Sequence, residues 1–280
     1  MGRFARGWAL TKQSWSIVRA DRSLLVFPIV SGVVALLLAV AFGGAALAVL
    51  DSSTPAAVVV GVIGAYLLIL AAVFCNVALT ACAARALDGA DTTPGEGFAA
   101  ARARLGPIAA WAGLQLVVGA LITALQAVLR QGAGQLVSSL FGNLANLAWN
   151  VAAFFVVPVI ALEGLGPKAA LQRSLGVIRQ RWGEGVSGAF AIGGLVFLFA
   201  FLPGAGLGAI GVGLGGVVGD VLIAAGAALF VTGAVVETAL TAVFKIALYR
   251  FAAEDRVTEP FDRSELEGAF RPRRGRFAAA

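Results

Sequence analysis

The chain has 280 residues; 60% are hydrophobic, only 13% are charged, and the net charge is +6. A soluble domain carries about 25% charged residues, so a water-facing globular exterior is excluded and the missing polar surface must face lipid. The sequence contains no histidine, which removes the usual zinc sites, Ser-His-Asp and Cys-His catalysis, His-ligated haem and any His-based pH switch.

Stretches free of Asp, Glu, Lys and Arg occupy 23–50, 52–84, 107–129, 131–162, 185–219 and 221–236. A spanning helix needs about 20 largely apolar residues. The runs are continuous rather than alternating, which predicts helices and not barrel strands. The expected fold class is therefore an all-α polytopic membrane protein, with six transmembrane helices arranged as three hairpins, each preceded by a cytoplasmic amphipathic surface helix.

In chain order, residues 3–22 read as the first surface helix. Phe4, Trp8, Thr11, Trp15 and Val18 recur at helical spacing, with Arg3, Arg6, Lys12 and Arg19 off that stripe. Tryptophan flanked by basic residues suits the headgroup layer. The first span is expected over 24–50, where Ala35, Ala39 and Gly43 form a small-residue row that permits close helix approach. The Asp51–Pro55 turn leads into the second span, 56–85. It holds Cys75 and Cys82, seven positions apart on one helix and so too distant to bridge.

Thr93-Pro94-Gly95-Glu96 has the pattern of a capping box and opens a second surface helix over 94–105. Spans follow at 107–129 and 144–163, separated by a Gly, Gln and Ser-rich turn over 130–143. The run from Val156 to Trp182 then reads as a span ending at Glu163-Gly164 and turning into a third surface helix, 167–182. Leu171, Leu175, Ile178 and Trp182 make its apolar stripe. A fifth span is expected at 185–203. The glycine-rich 203–219 segment fits an external loop, a helix continuing through a close-packed seam, or a re-entrant turn. The sixth span covers 220–250, longer than a bilayer requires. Residues 253–280 form a charged tail, acidic first and basic last.

The first and third surface helices align without a gap at an offset of 160: S-W-S-I-V-R at 14–19 with S-L-G-V-I-R at 174–179. Three units follow, each a surface helix and a helical hairpin. The outer segments 51–55, 130–143 and 203–219 contain Arg130 and no other Lys or Arg. The positive-inside pattern therefore places both termini in the cytoplasm.

Polar residues in the predicted spans are few. Glu237, Asn76 and Asn150 form the candidate intramembrane polar site, since an ionisable or amide group at membrane depth is costly without a partner. Trp8, Trp15, Trp182, Arg19 and Arg179 are the candidate interface anchors. Gly206, Gly208 and Gly211 spell G-x-G-x-x-G, but no strand precedes them, which argues against a dinucleotide site. With no nucleophile–base pair, metal cluster or phosphate loop, the chain is expected to be non-enzymatic, with no cofactor and no nucleic-acid partner. The expected role is membrane organisation, lipid interaction with anionic headgroups, or service as a subunit of a membrane assembly or homo-oligomer. The alternative is an ion or solute transporter with Glu237 in its path.

The N-terminal R-G-W-A-L-T-K-Q-S-W-S-I-V-R-A-D-R-S-L-L-V-F-P-I-V-S-G resembles an uncharacterised family of bacterial six-span membrane proteins. V-V-P-V-I-A-L-E-G-L-G-P-K-A-A-L-Q-R-S and A-L-Y-R-F-A at 247–252 look like a wider group, which includes the membrane domain of some glycerophosphodiester phosphodiesterases. The catalytic domain of those enzymes has no counterpart here, so the resemblance implies a six-span layout in the bacterial cytoplasmic membrane, no hydrolysis and no transferable site residue.

Overall fold

The computed structural model describes residues 3–51, 53–132, 134–181, 194 and 196–261. Trp182, the first part of the fifth predicted span (185–193) and the tail from 262 onward lie outside the described residues. Among those described, every regular element is helical. The helices are α1 (Arg3–Ala20), α2 (Val26–Leu50, entered through a 3-10 turn at Arg22–Leu25), α3 (Thr54–Leu87), α4 (Pro94–Arg102), α5 (Leu105–Gly132), α6 (Gly134–Ala152), α7 (Val156–Glu163), α8 (Pro167–Arg181), α9 (Leu202–Leu214, entered through a π-turn at Phe197–Phe201) and α10 (Gly216–Glu254). Among the described residues, six segments are long and apolar enough to cross a membrane: Arg22–Leu50, Thr54–Leu87, Leu105–Gly132, Gly134–Glu163, Phe197–Leu214 and Gly216–Glu254.

The chain forms two compact units. One contains residues 26–82 and 93–178, the other 1–25, 83–92 and 179–280. In the first unit α2 and α3 touch at Gly64, where a side chain would meet Phe42. Cys82 and Phe27 close over Gly97 of α4, and Phe98 packs edge-on to Phe27 and stacks on Phe74. The Thr93–Glu96 capping box is formed: Glu96 N–H donates to Thr93 Oγ1, and Thr93 N–H donates to Glu96 Oε2 at 3.0 Å. The helices α5 and α6 run antiparallel. Trp111 stacks on Trp149, and Ser138 Oγ donates to the Gln126 carbonyl at 2.7 Å.

Residues 130–143, expected as an external turn, are almost wholly helical. Helix α5 runs to Gly132 and α6 starts at Gly134, whose φ is +86°. The two serines read as turn formers are satisfied inside helices: Ser138 Oγ donates to the Gln126 carbonyl of α5, and Ser139 Oγ donates to the Leu136 carbonyl at 2.9 Å. The fourth span, expected as one helix over 144–163, is instead broken between α6 and α7. Pro158 carries no N–H and disfavours the helical turn before it. The chain tightens at 153–155, with Phe154 N–H on Val151 O and Val156 N–H on Ala153 O. Ser174 of α8 stitches this break: its hydroxyl donates to Ala152 O at 2.7 Å and accepts from Phe155 N–H at 3.2 Å. Ser174→Ala strands both backbone groups and should lower stability by about 1–3 kcal/mol. Amide exchange at Phe155 should accelerate in that variant; an unchanged rate would show that the stitch contributes nothing.

In the second unit the glycine tract takes the second of its three expected forms, a helix in a close-packed seam. Among the described residues the fifth long apolar helix covers Phe197–Leu214, so it takes in the end of the predicted 185–203 and most of the glycine tract; residues 185–193 of that prediction lie outside the described residues. Pro203 explains the π-turn that precedes α9: it cannot donate to a carbonyl four residues back, and Leu202 N–H reaches Phe197 O instead. The tract turns only at Gly215 and Gly216, whose φ values of +65° and +60° suit residues without a Cβ. Helix α10 returns antiparallel to α9. Its first half exposes Val217, Val218, Val221 and Phe230. Its second half is buried nearly all round, including Leu240, Val243, Phe244, Ile246, Ala247 and Tyr249, the pattern of a helix enclosed by protein.

Candidate functional site

The helix α1 has two distinct faces. Leu10, Ser14 and Val18 are fully or nearly fully buried, on the side that packs on α10. Trp8, Lys12, Trp15 and Arg19, at steps of four, three and four, all lie exposed on the opposite side. This corrects the expected apolar stripe, which joined both tryptophans to Val18. The sequence holds two overlapping helical rows, and the row with smaller side chains fits against α10. The tryptophans are left outside, beside the basic residues. At the offset of 160, Ala170 and Ser174 are the buried counterparts of Leu10 and Ser14. In α8 as in α1, therefore, a row of modest side chains faces protein, while Lys168, Gln172, Arg173 and Arg179 are exposed.

Just past α1, Asp21 ties the entrance of α2 to the 88–92 loop. Its carboxylate accepts from Ser23 N–H at 3.0 Å and from the Thr92 hydroxyl, and Ser23 Oγ lies 3.0 Å from Thr92 Oγ1. Partial burial works against the charged form of Asp21, but the Ser23 and Thr92 hydrogen bonds outweigh it and hold its pKa below the usual value.

The strongest electrostatic feature in the same unit lies at the ends of α3 and α10. Arg250 is 8% exposed at its side chain and binds Asp88 through both arms, at 2.9 and 2.8 Å. Arg256 adds a third bond to Asp88 at 3.0 Å. The planar guanidinium matches a carboxylate fork, which makes such a pair directional as well as charged. The Arg250 hydrogen bonds, with the charge of Arg256, hold Asp88 below the usual carboxylate range. Asp255 adopts the left-handed conformation, φ 53°, at the end of α10. There the chain turns and Arg256 N–H closes onto Arg250 O, which brings both arginines to one carboxylate. An open cleft of about 530 Å³ borders this clamp, lined by Ser16, Asp88, Arg256, Thr258 and Glu259 among others.

The predicted polar residues do not gather into one site. Asn76, on α3, donates to its own Ala72 carbonyl at 3.2 Å. Asn150 is exposed on α6, and the two asparagines, which share a unit, do not bond each other. Glu237 is half-buried on α10, and Lys245, two turns further along the same face, is its electrostatic partner. Among the described residues no three His, Cys, Asp or Glu side chains meet at one point. Cys75 and Cys82 are separate, buried thiols. Sequence reading missed the Asp88–Arg250–Arg256 clamp. Its only local signal was Arg250 in an otherwise apolar A-L-Y-R-F-A run.

A family model matches residues 55–259, from the start of α3 to just beyond the clamp. The chain belongs to a family of unknown function, DUF6159. The family region contains Asp88, Ser174, Glu237, Arg250 and Arg256, whereas the tryptophan-bearing face of α1 precedes it. No curated protein and no solved structure matches the chain.

Proposed function

We propose that this member of the family is a non-enzymatic, multi-pass protein of the cytoplasmic membrane that engages anionic lipid headgroups through the outer face of α1. The observation that carries the reading is the joint exposure of Trp8, Lys12, Trp15 and Arg19 on one side of the helix immediately before the first apolar segment. Indole rings favour the headgroup layer. A basic side chain near an anionic surface contributes about 1 kcal/mol. Exposed Arg179 gives α8 a similar basic end. In this reading the chain is three units, each a surface helix and a hairpin. The surface helices and both termini lie on the cytoplasmic side, a placement that the distribution of Lys and Arg supports. The role is membrane organisation or service as a subunit of a membrane assembly. The transport reading has weaker support, because Asn76 bonds to its own helix and Glu237 has Lys245 as a partner.

The test is lipid retention by the full chain, purified from mixed vesicles of phosphatidylglycerol and phosphatidylcholine. The wild type should carry an excess of the anionic lipid. Lys12→Glu/Arg19→Glu should reduce that excess several-fold, since it reverses two charges worth about 1 kcal/mol each. Equal lipid ratios in the two proteins would remove the basis of the proposal.

A further inference from the structure

The helix α6 lies inside a segment, Gly134–Glu163, that is long and apolar enough to cross a membrane. One of its faces, with Ser138 and Gly142, packs on Gln126 of α5. A different face carries Ser139, Asn143, Asn146 and Asn150, at steps of four, three and four. This is the a/d spacing of a left-handed helix pair. All three asparagines are exposed, and Leu136, Leu140, Leu144 and Leu147 are exposed beside them. Asn146 donates to its own Gly142 carbonyl at 2.8 Å, which leaves its side-chain oxygen free. Asn143 and Asn150 make no hydrogen bond to any described residue.

Hydrocarbon offers such amides no partner, so a row of them is disfavoured against lipid. We propose that this face is a self-association seam, occupied by α6 of a second copy of the chain. Two copies inserted in the same direction are related by a two-fold axis along the membrane normal. That symmetry brings α6 beside α6 in parallel, so each residue of the seam meets its own counterpart. Asparagine suits this arrangement because its amide both donates and accepts, and so it bonds to a copy of itself. A row of like charges in the same place would repel its counterpart. The leucines along one flank of the row supply packing, and the asparagines set the register. The inference needs the chain to be membrane-inserted but does not need lipid binding by α1.

The test uses the full chain with Cys75→Ala and Cys82→Ala. Asn146→Cys, oxidised in vesicles, should give a disulfide-linked dimer, and Leu36→Cys on the exposed face of α2 should give far less. In micelles, light scattering should show a dimer for the unaltered chain. The triple change Asn143→Leu/Asn146→Leu/Asn150→Leu should weaken its dissociation constant by about tenfold or more, with an unchanged thermal midpoint. A monomeric wild type that gives no Asn146→Cys dimer would overturn the proposal, as would cross-linking only to a different membrane protein. A dimer unaffected by the triple change and not cross-linked through Asn146→Cys would do the same. If the triple variant fails to fold, the single-cysteine cross-link decides. A monomer that still retains anionic lipid would refute the seam alone.

Discussion

Asp88→Ala should cost about 2–3 kcal/mol of stability, because it leaves the Arg250 guanidinium buried without its counter-charge. Breaking a fully buried pair costs about 3–5 kcal/mol. The lower figure applies because the Asp88 side chain is 38% exposed and solvent screens part of the interaction. Replacing both partners with apolar residues, as in Asp88→Leu/Arg250→Met, should recover most of the loss, since the penalty comes from the stranded charge rather than from the missing attraction. Thermal midpoints of the two single variants and the double variant in one detergent check this. Additive losses would show that the two side chains are not coupled.

The pH dependence of this clamp follows from the lowered pKa of Asp88. A carboxylate whose folded pKa is depressed adds stability that is fully present above the unfolded value, about 3.9. That contribution is lost as pH falls through the lower folded value. The gap between wild type and Asp88→Ala should therefore stay constant down to about pH 5 and close only in stronger acid. A gap that closed between neutrality and that point would contradict the hydrogen-bond geometry.

Gly226→Val should separate α9 from α10. A Cβ at Gly226 would lie 2.5 Å from the Gly204 carbonyl and 3.0 Å from Gly208 N, and one at Gly211 would lie 2.6 Å from the Gly219 carbonyl. The obstructing atoms are backbone, so no rotamer change relieves the clash. The expected loss is about 2–3 kcal/mol, in the range of overpacked cores. At Gly213 a Cβ meets nothing within 4 Å. Gly213→Ala should there raise stability slightly, by about 0.5–1 kcal/mol, through helix propensity alone. Unfolding in detergent, followed for both variants, separates a packing seam from a merely flexible glycine tract. Equal tolerance at the two positions would rule the seam out.

The glycine tract also shows where sequence reading stops. Seventeen positions rich in glycine look like a loop by propensity. Yet Gly204 and Gly211 on α9 recur at the same seven-residue interval as Gly219, Gly226 and Gly233 on α10. That interval is two helical turns, which places the glycines in one line on each helix. The periodicity was present in the sequence, but its meaning depends on a partner helix that lets two backbones touch. The polar 130–143 stretch misled for a related reason: Ser138 is unsuited to a span until a carbonyl of α5 stands opposite it.

The capping box at Thr93–Glu96 and the apolar runs act within a few residues of themselves, so each could be read directly from the chain. The clamp could not, because Arg250 and Asp88 are separated by 162 positions and no local period links them. The choice of buried face on α1 was equally out of reach, since two helical rows compete there and only the fit against α10 selects the smaller one. Composition and periodicity by themselves determined an all-helical chain with six segments apolar enough to span a membrane, because hydrophobic run length is a local property. Tertiary structure decided which carboxylate neutralises Arg250, which glycines bring two helices into contact, and which side chains of α1 and α6 remain outside, because each depends on what a distant part of the chain places alongside.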